Sequence, residues 1–231
     1  MFAASVSRGV LRVRRPDSRW LVTDWAGGYR SADAAYNLTV PHGFDRTDLR
    51  PYVERRRERA GFPDPGPALL TGVDVAHARR ARADPVEVVA TVGLSNPATL
   101  PMAPEGEPSG ETGYRPGTVN LLVGTTRALD DGGLATLLAT AVEARTATLK
   151  ATTGFTGTTS DGVVVATDPT GDPAAFAGSA TSVGAATRAC VRAAVRASLD
   201  ARYPDGEYPR TVTEADHGVS TEREATVSPV E

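Results

Sequence analysis

Apolar and polar positions along this 231-residue chain follow two periods that take turns from end to end. Short branched runs at Val86–Leu94, Thr118–Gly124 and Gly162–Ala166 have the composition of buried β-strands. Smaller apolar groups at Val10–Val13 and Trp20–Thr23 predict two strands joined by a turn at Pro16–Ser18. Ala26–Gly28 then reads as a loop, and Leu38–Val40 and Ala68–Val73 as further strands. Between them, Asp48–Ala60 behind Thr47 predicts a helix, and the stretch through His77 and Arg82 reads as helical. Leu134, Leu137, Leu138, Ala141, Val142 and Leu149 recur at helical spacing and predict a helix over Leu134–Lys150. An alanine-rich helix follows over Thr181–Arg202. Strands separated by helices predict a layered α/β domain, in which the helix at 134–150 either crosses over between two parallel strands or leaves them to longer-range pairings, both equally allowed.

Composition divides the chain at about residue 203. Hydrophobic residues make up 40%, enough for one sizeable core. The net charge of −3 is uneven: residues 204–231 carry seven acids against Arg210 and Arg223, a balance of −5, which leaves about +2 for residues 1–203. That polar, turn-rich tail is expected to be disordered. The longest apolar runs fall far short of the roughly 20 residues a membrane helix needs, and the N-terminus lacks a secretory pattern, so a cytoplasmic protein without a membrane partner is expected. One cysteine, Cys190, and three scattered histidines leave no soft metal-ligand set, and no cofactor is called for. Arg55–Arg57 with Arg59 is interrupted by Glu54 and Glu58, a solvated helix face rather than a nucleic-acid patch. Lys150 is the only lysine. So strong an arginine bias points to a GC-rich genome, and the mild acidity is compatible with a salt-adapted archaeon.

The chemistry concentrates in polar, glycine-bearing segments at strand ends: Trp25–Arg30 with Asn37, Leu70–Asp74, Gly93–Pro97, Arg115–Asn120 and Thr156–Asp161. Glycine lets the backbone approach a ligand closely, and the threonines, serines and asparagines beside it supply neutral donors and acceptors. Any one of these segments alone reads as an ordinary turn. Five of them, each beside an apolar strand, read as the lining of a cleft for a small-molecule substrate.

In their order along the chain these segments resemble the adenosylcobinamide amidohydrolase family. The resemblance runs through Gly27, Gly28 and Asn37, then Thr71 and Asp74, then Thr91–Asn96, Gly117–Val123, Glu143–Ala147 and Thr156–Ala166, and covers roughly Val10 to Leu199. Leu38 stands where that pattern often has histidine, and Arg145 where it usually has lysine. The resemblance implies hydrolysis of one amide in adenosylcobinamide, giving adenosylcobyric acid and aminopropanol. Gly27, Gly28, Asn37, Thr71, Asn120, Glu143, Thr158 and Ser160 would meet the substrate. A more distant similarity, of Gly117–Thr118 and Ser160–Asp161 to the DmpA aminopeptidase and ornithine acetyltransferase families, implies a like fold and a mechanism. There Thr118 is a nucleophile released by self-cleavage, Asn96 helps hold the oxyanion, and Asp74 and Asp161 act as acid–base or orienting groups. The ordinary alternative for Thr118 is that it simply opens a strand. Two rival functions stay open on this reading: a self-processing aminopeptidase or acyltransferase of other specificity, and a non-catalytic corrinoid-binding protein. A homo-oligomer is compatible with either.

Overall fold

The computed structural model describes residues 2–104 and 119–230. In chain order the elements are β1 (Ala3–Ser7), β2 (Val10–Val22), β3 (Gly28–Thr39), α1 (Leu49–Arg59) and β4 (Ala68–Thr71). After a short 3-10 turn at Val75–His77 come β5 (Arg79–Ala83), β6 (Val86–Val92), β7 (Pro97–Thr99) and β8 (Val119–Thr125). Then follow α2 (Asp131–Thr153), β9 (Gly157–Thr158), β10 (Gly162–Thr167), α3 (Ser182–Arg202), a 3-10 turn at Val212–Glu214 and β11 (Val219–Ser220).

One sheet holds the architecture, in the order β4-β3-β2-β10-β8-β6-β5, with β1 paired to the first half of β2. Side chains alternate across it, as the pleat requires. On one side, Leu11, Val13, Trp20 and Val22 of β2, Ala35 of β3 and Leu69 of β4 share a cluster with Val89 of β6, Leu122 of β8, and Val164 and Ala166 of β10. A single flat sheet could not bring β4 to β6, so the sheet bends on itself and its two halves face each other across this inner layer. The outward positions of β6, β8 and β10 pack under α2 and α3. Those of β3 and β4 pack under α1, through Tyr36, Leu38, Leu70, Val53 and Phe62.

The layered α/β class is as expected, and of the two pairings left open the chain takes the helical crossover: β8 and β10 are parallel neighbours joined through α2. Asp130 caps α2 by accepting from the Gly133 N–H at 2.7 Å, and Gly154, at φ +84°, ends it in the left-handed region.

Three expectations need correction. The two strands at 10–13 and 20–23 are one strand, β2, with a register shift between Arg14 and Ser18 and Asp17 at φ +57°. The turn residues Pro16–Ser18 make a bulge rather than a hairpin, and the bulge lets β2 pair with β1 at its start and β10 at its end. The stretch through Arg82 is not helical beyond His77, because Arg79–Ala83 adds to β6 as an antiparallel edge strand. Residues 204–221 are placed rather than disordered. The Tyr208 ring lies 5.6 Å from Tyr203 and its hydroxyl donates to Thr152 O, while β11 pairs in parallel with β7.

That last difference gives a stability test. Removing residues 222–231, where Val227 and Val230 are almost fully exposed, should leave the thermal midpoint unchanged. Removing 204–231 strips Tyr208 and β11 and should cost roughly 2 kcal/mol, a fall of about 4–8 °C. Equal midpoints for the two truncations in a melting experiment would count against a packed tail.

Candidate functional site

The apolar inner layer ends in a polar tier. Moving two residues along each inward-facing strand leads from Ala35 to Asn37, from Leu69 to Thr71, from Val89 to Thr91, from Leu122 to Asn120 and from Val164 to Gly162. Asn37, Thr71 and Thr91 are wholly buried and Asn120 nearly so. Their hydrogen bonds close on one another. Asn37 Nδ2 donates to Thr91 Oγ1 at 2.9 Å, and Asn120 Nδ2 donates both to Asn37 Oδ1 and to Leu70 O at 2.9 Å. Asn120 Oδ1 accepts from the Gly162 N–H at 3.0 Å, and Thr71 Oγ1 from the Val73 N–H at 3.0 Å. Gly162 has to be glycine here, since a Cβ would sit 2.8 Å from the Leu69 side chain and 2.9 Å from Asn120 Oδ1.

Above this tier lies the turn that enters β10. Asn96 is buried beneath it, donating to Thr159 Oγ1 at 2.6 Å and to Ser160 Oγ at 3.5 Å, while its carbonyl accepts from Thr159 N. Asp161 is the hub of the turn. Its carboxylate takes the Thr158 hydroxyl, the Thr158 N–H at 3.1 Å, the Val119 N–H and the Arg145 guanidinium at 3.2 Å. Both members of that ion pair are enclosed, with side chains 7% and 11% exposed. Burial still raises the Asp161 carboxyl above its ordinary value, against the lowering pull of Arg145 and Thr158. A Cβ on Gly157 would lie 2.7 Å from the Asp161 carboxylate, so the close approach depends on glycine at that position.

A cleft of about 350 Å³ opens at this point, walled by Asn120, Thr159, Ser160, Asp161 and Gly162 on one side and by Thr23, Asp24, Trp25 and Leu69 on the other. A second cleft of about 450 Å³ lies across Asp24 and Trp25, bordered by Arg30, Arg50 and Glu54 among others. Trp25 is 39% exposed between them, with the Arg50 guanidinium 5.9 Å from its ring. Asp24 borders both. Its Oδ1 accepts from the Trp25 N–H at 2.7 Å, and burial pushes its carboxyl up to about 6.

Among the residues expected in the site, the structure brings Thr158, Ser160 and Asp161 together on the turn, with Asn37, Thr71 and Asn120 in the buried tier beneath. Gly27 and Gly28 shape the loop that carries Trp25. A Cβ on Gly27 would meet Val22 O at 2.9 Å, and Gly28 has φ +104°. Three assignments shift. Asn96 spends its amide donors on the Thr159–Ser160 turn, so it builds the wall of the cleft from below instead of facing it. Asp74 is exposed and caps the 3-10 turn at Val75–His77 through the Ala76 N–H at 2.9 Å. Glu143 is on the outer surface, paired with Arg188 between α2 and α3. Thr118 lies outside the described residues, next in sequence to the Val119 that Asp161 holds. Asp24, Trp25 and Arg145 were not singled out as site residues. Asp24 carried one usable signal, an acid directly after a strand and before a glycine pair.

Set beside known proteins, residues 4–207 match the family described as adenosylcobinamide amidohydrolase. A protein of Halobacterium salinarum named adenosylcobinamide amidohydrolase is 54% identical over 230 residues, covering 98% of this chain and 99% of that one. One of Methanosarcina mazei with the same name is 24% identical over 186 residues, covering 76% of this chain and 87% of its own. No solved structure matches.

Proposed function

The chain belongs to the adenosylcobinamide amidohydrolase family, and from that premise we propose that it hydrolyses the aminopropanol amide of adenosylcobinamide, releasing adenosylcobyric acid during corrinoid salvage in the cytoplasm. The observation that carries this reading is the near end-to-end identity with the Halobacterium protein. The site agrees with it chemically. The substrate is an apolar disc fringed with neutral amides, and each amide asks for a donor and an acceptor. The hydroxyls of Thr159 and Ser160 can both donate and accept on that cleft, while Asn120 and the Gly162 N–H spend their bonds on each other and on the tier behind.

Thr118 is the nucleophile in this reading. Asp161 fixes the Val119 N–H immediately after it, so a carboxylate locked by Arg145 and Thr158 governs where the start of β8 lies. The Thr118 hydroxyl attacks the amide carbonyl, an acyl intermediate forms, and water releases the corrinoid acid. Asn37 supports Asn120 within the buried tier, and neither Asn37 nor Thr71 touches the substrate.

Incubating the purified protein with adenosylcobinamide and following the products by mass spectrometry tests the substrate. Adenosylcobyric acid should accumulate, and fully assembled cobalamin should remain intact because its nucleotide loop crowds the scissile amide. Comparable rates on both compounds would indicate an unselective amidase.

A further inference from the structure

Amide hydrolysis needs a proton moved from the attacking oxygen to the departing nitrogen. The acids in the segments that resemble the family are otherwise engaged. Asp161 is held by Arg145, Thr158 and Val119, Asp74 caps a 3-10 turn, and Glu143 pairs with Arg188 outside the cleft.

Asp24 differs from all three. It stands on the wall shared by both clefts, across from Ser160 and Asp161 in the smaller one. Its Oδ2 is enclosed and has no hydrogen-bond partner among the described residues. An enclosed carboxylate oxygen without a partner weakens a fold, and such groups in native proteins call for a functional explanation. Nor is Asp24 on a loose loop. The neighbouring Thr23 exchanges bonds with Val163 of β10, its N–H donating to Val163 O at 3.1 Å and its Oγ1 accepting from Val163 N at 2.9 Å. On the other side, a Cβ on Gly27 would lie 3.0 Å from Asp24 O, so the turn closes tightly.

We propose that Asp24 is the proton-carrying catalytic residue of the amide hydrolysis, an inference that rests on the substrate reading above. As the attacking oxygen, of a hydroxyl or of water, bonds to the amide carbon, its proton passes to the Asp24 carboxylate. As the C–N bond breaks, the same proton moves to the amine nitrogen. The amine leaves neutral and Asp24 is again a carboxylate. Where a hydroxyl was the attacker, a water then bonds to the acyl carbon and gives Asp24 one proton, which returns to the hydroxyl oxygen as the C–O bond breaks and the acid departs. The charged groups around Asp24 are Asp161 across the smaller cleft, with Arg30, Asp33, Arg50, Glu54, Arg57 and Asp64 lining the larger one. Three arginines against three acids in the larger cleft nearly cancel. Burial is therefore what raises the carboxyl to about 6, where it can both accept and return a proton near neutral pH.

The test compares wild type with Asp24→Asn and Asp24→Glu on adenosylcobinamide from pH 4.5 to 8.5, alongside thermal melts. Wild-type kcat/KM should climb as pH rises through about 6. Asp24→Asn should lose roughly 10²–10⁴-fold in kcat, lose that climb, and keep corrinoid binding; Asp24→Glu should recover part of the rate. The melts add a readout that a structural role would not give. A carboxyl whose folded pKa is raised costs stability wherever the unfolded chain can ionise it more readily than the folded one, so the burden is absent below about 3.8, builds between there and about 6, and is complete above. Asp24→Asn should therefore melt no lower than wild type at acid pH and several degrees higher at pH 8. An Asp24→Asn enzyme within threefold of the wild-type rate overturns the assignment, as does lost activity accompanied by a lower midpoint at pH 8. A wild type inert on adenosylcobinamide overturns the substrate reading and this assignment with it.

Discussion

Thr118→Ala is expected to lower turnover of adenosylcobinamide by about 10³-fold or more, the scale on which losing a hydroxyl nucleophile acts. The thermal midpoint and corrinoid affinity should stay near wild type. The expectation rests on two facts. The Gly117–Thr118 junction leads directly into a fully buried strand, and the first described residue of that strand, Val119, gives its N–H to Asp161. A side chain next to a residue held that firmly can be presented at a fixed place, which attack on a carbonyl requires. Thr118→Ser should retain part of the rate, because the hydroxyl survives while the methyl that limits its rotamers is gone. Intact mass separates two versions of the chemistry. A chain split between Gly117 and Thr118 would supply a free amine as base. An active, uncleaved chain needs a side-chain base, the role given to Asp24. Normal turnover by Thr118→Ala would exclude the hydroxyl altogether.

Arg145→Met should produce the largest loss of stability, about 3–5 kcal/mol, the usual consequence of removing one partner from an enclosed ion pair. For a chain of this size that is a fall in midpoint of about 10 °C. The substitution leaves Asp161 facing Thr158 with its charge uncompensated and its carboxyl raised further above its ordinary value. A raised folded pKa favours the protonated form, so the deficit should be greatest above neutral pH and narrow as the solution is acidified. Arg145→Lys should restore much of the midpoint, since the cation returns without the planar fork. A midpoint for Arg145→Met within 2 °C of wild type would mean the pair contributes little. A deficit that widened toward acid would mean the carboxyl titrates in the opposite sense.

How much of this was legible from residues alone follows from how each part is held together. β6, β8 and β10 are buried on both faces, so their branched runs had no competing interpretation. Helix α2 announced itself through its leucine spacing. β3 was mostly missed because Tyr29, Ser31 and Asp33 leave one of its faces polar, and only its apolar end from Leu38 looked like a strand. β5 was missed because all five of its residues are arginine or alanine, which read equally well as helix, and its pairing with β6 decided the matter. The tail defeated composition for a related reason: one tyrosine and a few backbone bonds hold it, which a count of charges does not register. In the site, Asn120, Ser160 and Asp161 were legible as candidates because each sits in a glycine-bearing segment at a strand end, and all three line the cleft. Asn96 and Asp74 carried the same signal and are turned to other partners, since a segment motif does not say which way its side chains point, and Glu143, on α2, came from the family resemblance alone. Asp24 gains its character from the bend of the sheet, which brings the end of β2 against the turn before β10, and no local pattern encodes that bend.

The paired asparagines at the end of the inner layer bear on how the protein can accommodate a substrate as broad as a corrin. Asn37 belongs to one half of the bent sheet and Asn120 to the other, and a chain of buried bonds runs from Thr91 through both to the Gly162 backbone. Parting the halves at that end would strand several polar groups away from water, each at a cost of about 1–3 kcal/mol. The mouth therefore does not widen by hinging the sheet open, as a clam would. Whatever adjustment a large disc demands falls to the rim, where Trp25 is exposed and Arg50 lies over its ring. The floor is fixed by its own buried hydrogen bonds, and Trp25 with Arg50 forms the exposed part of the rim.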